Sequence, residues 1–137
     1  MDPVTIPADQ QRGIVRMRSA HSVTATLERL EGLLKARGII VFARIDFSGD
    51  AARAGLAMRA EQLLIFGNPK GGTPLMQAAP TVGLDLPFKA LAWEDEHGEI
   101  WIACNDARYI VQRHGLAPAL SVNLSVIMPI IEQAAQP

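Results

Sequence analysis

Only one cysteine, Cys104, occurs in 137 residues, so no intrachain disulfide can staple this fold. Net charge is missing too: thirteen Lys and Arg against fourteen Asp and Glu leave −1. A chain so near neutrality, with no basic run and no aromatic–basic interleaving, lacks the electrostatic footprint of a nucleic-acid binder. No apolar run is long enough to span a bilayer. The best one, from Ala119 to Gln133, is free of charge until Glu132 but is interrupted by Ser, Asn and Pro129. Internal repeats and low-complexity tracts are absent. Met1 to Gly13 has no apolar core and does not read as a signal peptide, which makes the cytoplasm the expected compartment. Three scattered histidines and the lone cysteine do not show metal-ligand spacing, so neither metal nor cofactor is expected.

What is present is ordinary globular composition, 49% hydrophobic and 20% charged. It predicts a flexible tail over residues 1–12 and one domain over 13–137. Gly13 to Ser19 alternates and reads as a strand. Ser22 then caps a helix from Val23 to Arg37, with Val23, Leu27, Leu30, Leu33 and Leu34 on one stripe and Gly38 as the stop. Ile39 to Asp46 is a second strand, with Val41, Ala43 and Ile45 on one face and Ile40 and Phe42 on the other. A short helix follows from Gly49 to Ala54, capped by Ser48, then a third strand from Leu63 to Phe66. Phe88 to Glu94 and Glu99 to Asn105 form a hairpin. Its turn, Asp95-Glu96-His97-Gly98, places Trp93 opposite Trp101. Asp106 caps a short helix to Arg113. Ala119 to Gln133 reads as a buried helix that Pro129 kinks or restarts.

Segregated strands and helices predict an α+β two-layer sandwich: a mostly antiparallel curved sheet of about five strands, helices on one face. The middle strands are apolar on both sides, whereas a sheet with one wet face alternates more cleanly. Each such side chain gains roughly 1.5–3 kcal/mol on burial. A symmetric second copy, a small apolar ligand or the inserted loops are the candidates to cover the second side; a homodimer is the first expectation.

The stretch from Phe66 to Met76 is the densest in chemistry. Gly67, Asn68-Pro69 and Gly71-Gly72 spell a loop, and Thr73 before Pro74 spells the cap of a helix from Pro74 to Ala79. Amides at that helix start, with Lys70 beside them, suit a phosphate or carboxylate. The same residues are also ordinary turn chemistry. The Gly-Lys-Ser/Thr order of a nucleotide loop is absent.

From Ile39 to Leu116 the chain resembles the domain-of-unknown-function 302 family of bacteria and archaea. The resemblance rests on Ile45-Asp46, Ala54-Gly55-Leu56, Phe66-Gly67-Asn68-Pro69-Lys70, Gly72-Thr73-Pro74-Leu75-Met76, Gly83-Leu84-Asp85-Leu86-Pro87, Trp93-Glu94-Asp95, Gly98, Trp101, Asn105-Asp106 and Arg113-His114-Gly115-Leu116. It implies a two-layer domain like one repeat of the TATA-binding-protein fold, in β-α-β-β-β-β-α order, that tends to dimerise. It implies no activity. Phe47 and Cys104 depart from the family pattern, and Gly67-Asn68-Pro69 and Pro87-Phe88 lack the cysteines of one branch.

The functional expectation is a soluble homodimer that binds a small anionic or apolar ligand, without chemistry of its own. The ligand-contacting candidates are Gly67, Asn68, Lys70, Gly72, Thr73, Asp85, Trp93, Trp101 and His114. Asp85, beside a turn, also reads as structural. The alternative is an enzyme using Lys70, Asp85, Asp106 and His114 in acid–base work, with His114 paired to Asp106. A structural or protein-interaction module is the third reading. Cys104 reads as a small buried hydrophobe, and His21 and His97 as solvated.

Overall fold

In the computed structural model, described here over residues 12–137, five strands hydrogen-bond in the order β1-β5-β4-β3-β2. They are β1 (Ile14–Ser19), β2 (Ile40–Asp46), β3 (Glu61–Gly67), β4 (Phe88–Glu94) and β5 (Ile100–Asn105). Every neighbouring pair is antiparallel, as the segregated order of elements predicts. β1 and β2 lie at opposite edges, so α1 (Val23–Ala36) crosses the sheet between them. Of the expected tail, residues 1–11 lie outside the described residues.

α1 forms where its stripe predicts. Ser22 accepts the Ala25 amide at 3.1 Å, and Gly38 takes a φ of +72° just past the end. Leu27, Leu30 and Leu34 are fully buried against Leu64, Phe66, Ala90, Ala92 and Ile102 of the sheet. α6 (Met128–Ala135) packs beside α1 on the same face and adds Ile130, Ile131 and Ala134. Arg29 crosses from α1 to the end of α6 and donates to the carbonyls of Gln133, Ala134 and Gln136 at 3.1–3.3 Å. His21, expected to be solvated, donates a ring N–H to the Gln136 carbonyl at 2.6 Å, while His97 is exposed.

Three local expectations change. The alternation of β2 is interrupted by a bulge at Phe42, because Val41 pairs with Phe66 while Ala43 pairs with Ile65. Val41 and Arg44 therefore face the helices, and Arg44 reaches Glu31 of α1 at 3.0 Å. Ile40, Ala43 and Ile45 face outward. The helix after β2, α2 (Phe47–Arg53), is capped by Asp46, which accepts the Gly49 amide at 2.9 Å and the Ser48 hydroxyl at 2.7 Å. The C-terminal segment is not one buried helix, although a helix does restart at Pro129. It is a 3-10 turn (Pro118–Ser121), a single turn α5 (Val122–Ser125), and α6 with Pro129 in its first turn. Val122 and Val126 are exposed, so this uncharged stretch is buried on one side only.

A second core forms beside the first. Leu75 of α3 (Pro69–Ala78), Val82 of a 3-10 turn (Pro80–Leu84), Ile110 and Val111 of α4 (Ala107–Arg113), Leu116 and Leu124 are all buried together. Phe88 joins both cores and stacks on Phe66 with centroids 5.9 Å apart.

Replacing Leu30, fully buried between α1 and the sheet, with alanine is expected to cost about 2–5 kcal/mol. Urea denaturation measures it, and a loss below ~1 kcal/mol would contradict this account of the core.

Candidate functional site

The end of β3 and the start of α3 form one wall of a cavity of about 270 Å³. α3 starts five residues earlier than Thr73 and Pro74 suggest. Asn68 is its cap: extended at φ −132°, it accepts the Lys70 amide on Oδ1 at 3.0 Å. Pro69 then occupies the first helical position, where its missing N–H costs nothing. Asn68-Pro69 and Thr73-Pro74 are equivalent start signals, and the first of them wins. The helix runs through Gly71 and Gly72 because Leu75 anchors it in the second core. Pro74 is inside the helix and cannot donate to the Lys70 carbonyl.

This start changes the electrostatics of the loop. The amides of Gly71 and Gly72 both donate to the Asn68 carbonyl at 3.0 Å, and the Lys70 amide is held by the Asn68 side chain. The backbone donors at the helix start are thus bonded within the chain. Lys70 is exposed and does not line the cavity. Gly67, Asn68, Gly72 and Thr73 do line it, with Pro69. The facing wall is apolar: Phe42, Met76, Leu86, Pro87 and Phe88. The bulge supplies Phe42, whose ring would sit 3.3 Å from a Cβ at Gly67, so any residue but glycine there crowds the wall. A Cβ at Gly72 would meet only Leu86 and Met76 at ordinary contact distances.

Asp85 and His114 come together elsewhere. His114 Nε2 lies 2.5 Å from Asp85 Oδ2, and Nδ1 lies 2.9 Å from the Thr81 hydroxyl. Arg113 donates to Asp85 Oδ1 at 2.9 Å and Oδ2 at 3.1 Å. The partner of His114 is therefore Asp85, not Asp106. Asp106 caps α4 instead, accepting the Arg108 amide at 2.9 Å, while its own amide donates to the Gly13 carbonyl at 2.7 Å. Of the four acid–base candidates, Asp85 and His114 meet; Lys70 and Asp106 stay apart. Both imidazole nitrogens are engaged and the side chain is only 4% exposed, so neither nitrogen is free for a substrate. The cluster braces the 3-10 turn against the end of α4.

Trp93 and Trp101 pair across the hairpin as expected, with centroids 6.5 Å apart. They sit on the outward face of the sheet, not at the cavity. The Trp101 indole N–H donates to Asp95 at 2.9 Å. That bond, followed by the amides of His97 and Glu99, outweighs partial desolvation and holds the Asp95 carboxyl below its usual 3.8. Cys104 is buried and its thiol is pushed up to about 11, by burial first and by Asp106 second. It packs against Met128 sulfur at 3.4 Å, a hydrophobe rather than a nucleophile. Among the described residues, no group of three or more His, Cys, Asp or Glu could hold a metal ion.

Nothing in the composition marks Phe42 as a cavity residue, because a bulge carries no composition signal. Met76 and Leu86 read only as apolar. Thr81 and Arg113 were missed because the partner of each is remote in the chain: Thr81 meets His114, 33 residues away, and Arg113 meets Asp85, 28 residues away; the Arg113-His114 doublet at a helix end was the available hint.

The geometry defines a two-layer α+β domain with a small apolar cavity at the sheet end. The family model described as "Domain of unknown function DUF302" matches residues 15–134, and the chain belongs to that family. A crystal structure of an uncharacterized conserved protein of the same family from Bacillus stearothermophilus superposes with a TM-score of 0.75. It is 21% identical, over 90% of this chain and 95% of that one. The chain is also 44% identical over 116 residues to proteins named fluoride-specific ion channel FluC 1, from Brucella suis biovar 1 (strain 1330) and Brucella abortus biovar 1 (strain 9-941). The match covers 85% of this chain but only 46% and 43% of those proteins, so the chain spans under half of their length.

Because ionised Asp95 is favoured in the fold, its contribution to stability is present above about pH 4 and vanishes as pH falls through its folded value. D95N is expected to flatten the acid limb of the stability curve below that pH. Urea melts followed by tryptophan fluorescence from pH 2 to 6 measure it; an unchanged slope would contradict the assignment.

Proposed function

We propose that this domain is a homodimeric binding module for a small, mainly apolar molecule, held between the start of α3 and the wall formed by Phe42, Met76, Leu86 and Phe88. The observation that carries this reading is the cavity itself, apolar on one side and closed on the other by backbone whose amides are already bonded. An apolar ligand gains from that lining, whereas an anion finds the backbone amides of Lys70, Gly71 and Gly72 already bonded. The ligand candidates narrow to Gly67, Asn68, Gly72 and Thr73. Lys70, Asp85, His114 and the two tryptophans belong to the surface, the brace and the outward face.

The homodimer answers a separate need. Leu63, Ile65 and Leu91 lie on the sheet side that neither core includes, and all are partly exposed in the single chain. A second copy is the simplest cover. Proteins named as fluoride channels carry a matching stretch over less than half of their length. No helix among the described residues is long and apolar enough to cross a membrane.

Thermal shift against a panel of small alcohols, ketones and aromatics, with sodium fluoride and phosphate as separate arms, tests the binding half. A ligand at a hundred times its dissociation constant stabilises by about 2.7 kcal/mol. Apolar compounds are expected to raise the melting temperature, and G72L, which fills the cavity, to abolish the shift while the protein stays folded. Shifts with the anions alone would overturn the reading. G72A, by contrast, is expected to stabilise the unliganded protein by about 0.5–1 kcal/mol, because it stiffens a helical position with room for a methyl group.

A further inference from the structure

The outward face of the sheet carries one row in which charge and aromatic groups are ordered. Arg18 on β1 pairs with Trp101 on β5, Trp101 with Trp93 on β4, and Trp93 with Glu61 on β3. Cross-strand partners share a face, so the row reads Arg–Trp–Trp–Glu across four adjacent strands spaced about 4.8 Å apart. Arg18 and Arg16 lie over the Trp101 ring at 5.4 Å and 4.9 Å from its centroid. Arg18 also approaches Glu99, at 3.9 Å, with both side chains well exposed. At the other end Glu61 is half-buried, and no ion pair engages it among the described residues.

Such a row is complementary to its own reverse. A two-fold axis parallel to the strands, passing between β5 and β4, reverses the order of strands in the second copy. Arg18 then falls over Glu61, and Trp101 over Trp93. In the adjoining row, Ala103 falls over Leu91, a small residue against a large one, and the apolar stem of Arg16 over Leu63. Two aligned sheets pack face to face at about 10 Å with side chains of the inner faces interdigitated. An axis across the strands would instead set each end of the row against its own kind, Arg18 on Arg18 and Glu61 on Glu61.

We infer that this face docks on a second copy of the chain with β1 of one protomer over β3 of its partner, so that Arg18 meets the partner's Glu61 twice across the two-fold axis. The inference rests on the homodimer reading and adds its geometry. β2 and the cavity mouth at Phe42 are left at the flank of the interface, open to a ligand.

Charge reversal tests it. R18E places two acids together at both contacts, and E61R two bases. Sedimentation equilibrium is expected to show each single variant dimerising at least about tenfold more weakly than the wild type. An equimolar mixture of R18E and E61R restores tight association, because both contacts in the mixed dimer are again opposite in charge. The R18E/E61R double variant, which also pairs opposite charges, regains the wild-type constant and shows that neither change harms the fold. A wild-type dimer indifferent to the single variants, or a mixture that fails to recover, overturns this geometry and leaves the homodimer standing. A monomeric wild type overturns both.

Discussion

The structure depends on a five-stranded sheet that is apolar on both sides and has its packed helices on one. On the inner side, α1 and α6 bury Leu64, Phe66, Ala90, Ala92 and Ile102. On the outer side, Leu63, Ile65, Leu91 and the tryptophan pair belong to neither core. Apolar side chains in such number are kept where burial repays them, at about 25 cal/mol for each Å² removed from water. The outer face is accordingly the place where the chain meets something else. The order of charge along it is the ground on which we propose a second copy of the chain there.

The small elements at the other end do different work. The Phe42 bulge, Gly67 and the early start of α3 together make the cavity. None of them is needed to close the main core. The bulge also twists an edge strand away from straight pairing, which protects β2 from unwanted strand addition. The Thr81–His114–Asp85–Arg113 cluster holds the second core shut behind the cavity wall. Its imidazole is consumed by structure at both nitrogens, so a constellation that looks like acid–base machinery in one dimension acts as a brace in three.

Much of the fold was legible because the signals were local and repeated. Ser22, the leucine stripe and Gly38 delimit α1 to within one residue. The turn at Asp95–Gly98 fixed the hairpin register and hence the tryptophan pair. The candidate site was legible in part. Gly67, Asn68, Gly72 and Thr73 were found because glycine and cap residues cluster there, but the cluster held two equivalent helix starts. Choosing Thr73 over Asn68 left the amides free, and with them an anion site. The pairing of His114 with Asp106 failed for a related reason. Nearness in sequence favours Asp106, but the end of α4 turns His114 toward the 3-10 turn, where Asp85 waits 29 residues away. The bulge at Phe42 could not be read at all, since an extra residue in a strand changes faces without changing composition.

The chain has two tryptophans, and both lie on the outward face. Acrylamide quenching of their emission, measured from high to low protein concentration, therefore reads the covering of that face directly. The account predicts shielded tryptophans at high concentration and a rise in quenching on dilution, without loss of helical or strand content. Strong quenching that is the same at every concentration would show the face open to water and contradict the central claim.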